Sequence, residues 1–311
     1  MDRLAAMQTF VRVVESGSFS AVARETQSTQ SAISKQVAAL ERALGVRLLT
    51  RTTRALALTE DGERYFEQVR RLVGEIAEAE STLRRGEQAL TGWLRVAASG
   101  AFGRLKLLPV VRSFLAAHPG VKIDLKLSDA FVDLVEQGID VAVRIGELAD
   151  SSLLARRVGT TRRVLVANRK YLRTLAKGLA PPRVPGDLAA HNCIVYTDLA
   201  TQNAWTFSAG PGAAASPGTT DVVRVQGSLQ TNSSEVVRAA VLAGMGIGYS
   251  PTWLFDTELA SGELRVLLPD WAAPDLPIHL VSPLQRRNSV KVRAFGEHLA
   301  VALQEVERAT V

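Results

Sequence analysis

The chain has 311 residues, 47% of them apolar and 22% charged, and a formal net charge of +6. That length supports two or three domains, and the sequence has no unbroken run of about 18 apolar residues, so no membrane helix is expected. The single cysteine, Cys193, excludes an intrachain disulfide and multi-cysteine metal sites; a core thiol is the plain expectation and a redox sensor the alternative. The start of the chain lacks the basic, apolar and small-residue segments of a secretory signal, so a cytoplasmic location is expected.

All 12 prolines lie at or after Pro109, so the first hundred residues suit a run of helices. Leu4, Met7, Phe10, Val11 and Val14 share one face of a first helix over about 3–15, with Asp2 as its cap and Gly17 as its stop. Ser18 or Ser20 can cap a short second helix carrying Ala21, Val22 and Ala23. A polar turn, Thr26-Gln27-Ser28-Thr29, follows. Ser28 or Thr29 caps a third helix whose buried stripe is Ile33, Val37, Leu40 and Leu44, ending at Gly45.

The other face of the third helix carries Gln30, Ser31, Ser34 and Lys35 near its start. Gln can bond adenine in two places, Ser donates and accepts, and Lys reaches guanine or phosphate. The N-terminal residues of a recognition helix are the ones that read bases, so Ser28 and Thr29 join this candidate set. A solvated helix face is the plain alternative. The next segment favours DNA: residues 46–59 alternate in a β-like way around a basic turn, Arg51-Thr52-Thr53-Arg54, which suits phosphate or minor-groove contact. Between residues 24 and 54 the cations Arg24, Lys35, Arg42, Arg47, Arg51 and Arg54 face only Glu25 and Glu41, a local excess suited to a polyanion.

The stretch from Phe10 to Gly62 resembles the N-terminal domain of LysR-type transcriptional regulators. The resemblance rests on Glu15-Ser16-Gly17-Ser18-Phe19, Ala21 to Arg24, Thr29 to Val37, Leu40-Glu41, Leu44-Gly45, Leu48 to Arg51 and Leu58 to Gly62. Two departures stand out. Thr26-Gln27-Ser28 replaces the usual Leu-Gly-Val-like turn, and Leu49 replaces a Phe common before the wing. The resemblance implies a winged helix-turn-helix over 1–59 that binds double-stranded DNA, with RNA polymerase as a further candidate partner.

Thr59 can cap a long helix from about 60 to 88. Phe66, Val69, Val73, Ile76, Leu83 and Leu90 keep a 3,4 spacing, with Glu80 and Glu87 at skipped positions. Such a seam predicts a coiled-coil interface between copies; packing on the helix's own domain is the alternative. In the family resembled, this segment (60–90) is the linker through which subunits pair, so a homo-oligomer, dimer or tetramer, is expected.

From residue 93 short β-branched runs alternate with amphipathic segments: Leu94–Ala98, Val121–Leu127, Val141–Ile145, Val164–Val166 and Ile278–Val281. This reads as α/β architecture. The Gly/Ala/Ser/Pro-rich stretch Ser208–Thr220 is expected to be a mobile surface loop. Ser99-Gly100-Ala101-Phe102 joins a strand to a helix, and free N–H groups at such a start suit an anion. Ser128-Asp129 ends the next strand. Arg144 ends another, where a ligand carboxylate and an internal carboxylate such as Asp129 are equal candidates for its partner.

Residues 93–311 resemble the family's effector domain, two α/β lobes related to type 2 periplasmic binding proteins. The matching pieces include Leu107-Leu108-Pro109, His118-Pro119, Asp133-Leu134-Val135, Gly138 to Gly146, His191-Asn192-Cys193 and Ala243 to Gly248. This implies lobe one at 93–163 plus 268–302, lobe two at 164–267, and a small-molecule effector, carboxylate-bearing or polar, in the hinged cleft. By resemblance its contacts lie at Ser99, Phe102, Ser128, Gly146 and the segment Thr201–Trp205, with Gln202 and Asn203; Gly100, Asp129 and Arg144 join this set from their own placement at a helix start and strand ends.

Other readings are weaker. Gly244-Met245-Gly246-Ile247-Gly248 lacks the strand-turn-helix order of a dinucleotide loop, and reads as close packing after a helix over 234–243. There is no Gly-x-Ser-x-Gly elbow or phosphate loop, and His118, His191, His279 and His298 are scattered. No enzyme activity, cofactor or metal is therefore expected. A solute-binding protein fits only the second half of the chain. A regulator without an inducer, whose second half serves assembly, stays open.

Overall fold

The computed structural model describes residues 2–51, 56–83, 90–130, 132–148, 151–177, 179–198 and 201–309. The chain divides into two compact units, 1–89 and 90–311.

The first unit opens with three helices: α1 (Arg3–Ser16), α2 (Phe19–Glu25) and α3 (Gln30–Leu44). Each has a polar cap that spends one helix-start donor: Asp2 accepts from Ala5 N–H, Ser18 from Ala21 N–H and Thr29 from Ala32 N–H. Gly17 and Gly45 end α1 and α3 in the left-handed conformation. Phe10, Val13, Val22, Ile33, Val37, Leu40 and Leu48 close the core. A two-stranded wing follows, β1 (Leu49–Arg51) antiparallel to β2 (Leu56–Leu58). Glu41 anchors it by accepting from Leu48 and Leu49 N–H, at 2.8 and 3.1 Å. Helix α4 (Glu60–Leu83) is capped by Thr59, which accepts from Gly62 N–H at 2.9 Å.

The second unit starts with β3 (Gly92–Ala98), which runs into a helical stretch: α5 (Gly100–Phe102), a π-turn over Gly103–Leu107 and α6 (Leu108–Ala117). Strands β4 (Val121–Leu127), β5 (Val141–Ile145) and β6 (Leu154–Thr161) complete the first pass through lobe one. The chain then crosses into lobe two with β7 (Arg163–Asn168), α7 (Arg169–Arg173), β8 (Cys193–Tyr196), β9 (Ala204–Ala209), β10 (Thr220–Arg224) and β11 (Leu229–Thr231). Helix α8 (Ser234–Leu242), β12 (Ile247–Pro251), α9 (Asp256–Ala260), β13 (Leu264–Leu267) and β14 (Trp271–Ala272) follow. Strand β15 (Leu276–Ser282) and α10 (Val290–Ala309) return to lobe one.

Lobe one is a mixed five-stranded sheet in the order β4-β3-β5-β15-β6; β3 pairs parallel with β4 and β5, and β15 antiparallel with β5 and β6. Phe114 and Phe295 pack edge to face at 5.3 Å in the core between the sheet and its α6 and α10 cover. Lobe two has the order β11-β8-β12-β7-β13. Its α8 packs Val237, Ala240 and Val241 on Val166 and Ile194. A small sheet, β10-β9-β14, joins Trp205, Phe207 and Trp271 to the core of Cys193 and Tyr249.

Several expectations change in detail. Sequence assigns residue 268 onward to lobe one, but β14 (Trp271–Ala272) pairs with β9 in lobe two's small sheet, and the return to lobe one comes with β15. The stretch 208–220 is the tip of the β9–β10 hairpin, and its ends, Ser208 and Thr220, are paired strand residues. A Cβ on Gly246 would collide with the Asn192 carbonyl and one on Gly248 with Val241, so these glycines serve close packing. No described helix is long and apolar enough to cross a membrane.

Candidate functional site

In the first unit, the apolar stripe of α3 fixes which side chains stay outside. Ile33, Val37 and Leu40 are buried, while Ser28, Thr29, Gln30, Ser31 and Lys35 are exposed and Ser34 is half-buried. The structure thus gathers the candidate base-reading residues on one exposed face at the start of α3. Gln36, on the next turn, is tied back to α1 through the Thr9 hydroxyl at 2.7 Å. At the wing, Arg51 ends β1; Thr52, Thr53 and Arg54 lie outside the described residues. The turn before α3 is shaped by Gln27, a non-glycine residue at φ 51°, where the departure from the family's turn falls. Ser28 N–H donates to Ala23 O at 2.8 Å and Thr26 Oγ1 to Val22 O at 2.8 Å, which holds α2 against that turn.

The seam read along α4 divides. Phe66 packs edge to face on Phe10 at 6.3 Å, and Val69 is 1% exposed. Val69 is thus covered by its own chain, while Phe66 is half-buried, packed on the first unit's core with part of its ring still outside. Val73 is half-buried, Ile76 is 37% exposed, and Leu72, which the heptad reading omits, is 44% exposed. The Leu83 side chain lies outside the described set.

In the second unit, a cleft of about 560 Å³ opens between the two lobes. It lies beyond the carboxyl ends of the parallel strands β3, β4 and β5, where open α/β sheets collect ligands. Ser99, Ser128, Asp129, Arg144, Gly146 and Thr201 all line it. Phe102 does not: it is 1% exposed in the lobe-one core, edge to face with Trp253 at 5.4 Å. Gly100, Gln202 and Asn203 are outside the lining too; Asn203 spends its amide on Val225 O at 3.1 Å.

The polar groups of the cleft are partly committed. Gly100 N–H is not a free donor, because it gives its hydrogen to Asp129 Oδ1 at 2.9 Å. Asp129 Oδ2 accepts from Ser234 N–H at 2.9 Å and from the Ser234 hydroxyl at 3.1 Å. One carboxylate therefore bridges helix starts in both lobes. Ser128 closes a local turn with Ala130, and Ser99 makes no side-chain cap bond. Arg144 donates from Nη2 to Val132 O at 3.1 Å rather than pairing with Asp129 in an ion bridge, and burial lowers its pKa.

Sequence reasoning missed several lining residues from lobe two. Arg163 opens β7 with its guanidinium 4.5 Å over the Tyr249 ring. Burial lowers the Arg163 pKa, and burial pushes the Tyr249 phenol up to about 12. Burial also raises the Tyr196 phenol, helped by Asp129 and Asp198. Trp253 presents a buried indole N–H without a hydrogen-bond partner. Two ion pairs reinforce the Asp129 bridge between lobes: Arg104 to Glu235 at 2.9 Å and Lys106 to Asp256 at 2.7 Å. Cys193 lies apart from the cleft lining, fully buried, and burial pushes its thiol up to about 12.

Comparison with known proteins bears on both units. Residues 4–63 match the family model of the lysR-family bacterial regulatory helix-turn-helix protein, and residues 87–304 match the LysR substrate binding domain. The transcriptional regulator PtxR of Pseudomonas aeruginosa is 37% identical over 293 residues, 94% of this chain and 90% of its own. The regulator CrgA of Neisseria meningitidis is 32% identical over 298 residues, 96% of each chain. The solved structure of CrgA, a LysR-type regulator, aligns with a TM-score of 0.59 at 31% identity, over 96% of this chain and 98% of that one. The full-length Vibrio cholerae virulence activator AphB aligns with a TM-score of 0.56 at 28% identity, over 95% and 98%. A winged helix-turn-helix, a two-lobed domain around a cleft, and relatives matched over nine-tenths or more of their length leave one assignment: this chain belongs to the LysR family of transcriptional regulators.

Proposed function

We propose that the exposed start of α3 reads operator DNA and that the interlobe cleft holds the effector that modulates this binding. Gln30, Ser31 and Lys35 supply base contacts, with Ser28, Thr29 and Ser34 flanking them. The wing, Arg51 to Arg54, supplies phosphate or minor-groove contacts. The exposed apolar residues Leu72 and Ile76 of α4, with Val73, pair with a second copy, and a tetramer then spans two half-sites. RNA polymerase is the partner such a promoter-bound regulator would meet.

The observation that carries the effector reading is the cleft itself. It is roomy, and strand-end residues of lobe one face residues of lobe two across it. A ligand touching both lobes stabilises one lobe spacing over another, and a coupling of about 1–3 kcal/mol suffices to alter DNA binding. The test is selection of DNA by the full-length protein from a random library, with and without a panel of small organic acids and their amides. A recurrent paired motif is expected, with affinity shifted by cleft-binding compounds. Recovery of unrelated sequences would refute the DNA reading. Compounds that bind the cleft but leave DNA affinity unchanged would refute its regulatory role.

A further inference from the structure

Besides Lys126, which lines the cleft and pairs with Asp124 at 3.5 Å, three receptors for a negative charge stand in different states. The first is the pair of helix starts at Gly100 and Ser234. Asp129 accepts from both N–H groups and from the Ser234 hydroxyl, so the chain's own carboxylate already occupies this place. A ligand anion entering there would meet that carboxylate at close range, with Asp198 acting on the same Tyr196 phenol. The second is Arg144, whose guanidinium is tied to its own lobe through Val132 O. The third is Arg163. It sits where the chain first enters lobe two, its Nε is buried without a hydrogen-bond partner, and no ion pair holds it among the described residues. Its company is the face of Tyr249, whose hydroxyl is fixed on Thr206 O at 2.8 Å. An aromatic face offsets only part of the cost of burying a cation; a paired anion offsets more.

We propose that Arg163 selects the effector: an organic anion whose acidic group pairs with this guanidinium while its apolar body lies along Pro251 and Trp253. This rests on the reading of the cleft as the effector site and names the chemistry of that site. Pro251 is the register partner of Arg163 across β12 and β7, and Trp253 follows two residues later, so anchor and apolar wall are adjacent along the chain. Arg163 also explains why a carboxylate-bearing ligand remains compatible with an acidic Asp129 in the same cleft. The acid is received by Arg163 on β7, not at the N–H groups that Asp129 already occupies.

Benzoate and its neutral amide, benzamide, are suitable probes, titrated into the full-length protein while the Trp253 indole N–H signal is followed by NMR. That signal is assigned with Trp253→Phe. Benzoate should move it and saturate, and benzamide should bind at least about tenfold more weakly. Arg163→Gln should lose about thirtyfold or more in benzoate affinity, as expected when one partner of a buried charge pair is removed, and Arg163→Lys should lose less. The indole signals of Trp93, Trp205 and Trp271, unchanged in the variants, report an intact fold. If benzoate and benzamide bind alike, or Arg163→Gln binds benzoate like the parent, the anchor is wrong and the cleft reading survives. If neither compound moves the Trp253 signal, the cleft reading falls with it.

Discussion

Asp129 is the residue whose removal should most change how the two lobes hold together. Asp129→Ala leaves Gly100 N–H and Ser234 N–H without their acceptor and frees the Ser234 hydroxyl. Loss of a helix-start acceptor costs about 1 kcal/mol, and two starts are affected. The lost attraction between the carboxylate and the helix dipole adds about 0.3–1 kcal/mol, while water entering this partly buried site returns some of it. The net expectation is about 2 kcal/mol in unfolding free energy. Asp129→Asn keeps an acceptor and loses the charge, so it should cost about half as much. Urea unfolding of the full-length protein, followed by tryptophan fluorescence, measures both. A second arm adds acetate: a small carboxylate should recover part of the stability of Asp129→Ala and leave the parent unchanged. If Asp129→Ala lies within about 0.3 kcal/mol of the parent, or acetate acts equally on both, the carboxylate does not bridge the lobes as described.

Four other outcomes are expected. Gln30→Ala should lose about 1–3 kcal/mol at one base position of the selected motif, and Arg51→Ala should weaken all sequences and flatten the salt dependence, both read by DNA titration at several salt concentrations. Leu72→Asp with Ile76→Asp should lower the mass found by sedimentation; an unchanged assembly would remove this face of α4 from the interface. Gln27→Gly should raise stability by about 0.5–1 kcal/mol in the same urea assay, since the left-handed turn residue carries a Cβ at a conformational cost. His191 is 3% exposed, and burial holds its pKa below 6.5, so the unfolded chain takes up a proton that the folded one resists. Stability should therefore fall as pH drops below about 6.5 toward the lower folded value, and His191→Gln should flatten that limb between about pH 5 and 8.

Much of the fold was legible because local signals agreed with one another. Asp2, Thr29 and Thr59 cap their helices as their positions beside apolar periodic runs suggest. Strands β4 and β5 coincide with their β-branched runs. The heptad along α4 was half misleading for a physical reason. An apolar stripe says that a face is covered, not by what; Val69 is covered by its own chain and Phe66 in part. Strand β6 was overlooked because Arg156 and Arg157 interrupt its apolar pattern, which an edge strand with one neighbour, β15, tolerates. Short β14 carries no pattern of its own and is defined by pairing with β9, more than sixty residues earlier.

The cleft was legible to the extent that it is built from strand ends. Ser99, Ser128 and Arg144 stand at or beside the ends of parallel strands, and that placement follows from alternation and chain order alone. What the side chains do there depends on the other lobe. Asp129 reads as a generic acid until Ser234, 105 residues away, arrives with an unsatisfied helix start. Arg163 reads as one of two arginines beside a strand until β12 brings Tyr249 beneath it and leaves its Nε unpaired. Both residues acquire their chemistry only when the chain has crossed between lobes. For the same reason both should be sensitive to lobe spacing: opening the cleft parts Asp129 from Ser234. A ligand whose acid pairs with Arg163 and whose body lies along Pro251 and Trp253 would oppose that separation where it also touches the lobe-one lining. The intrinsic carboxylate and the ligand carboxylate then act in the same direction on different partners, and the ligand adds to contacts that already join the lobes.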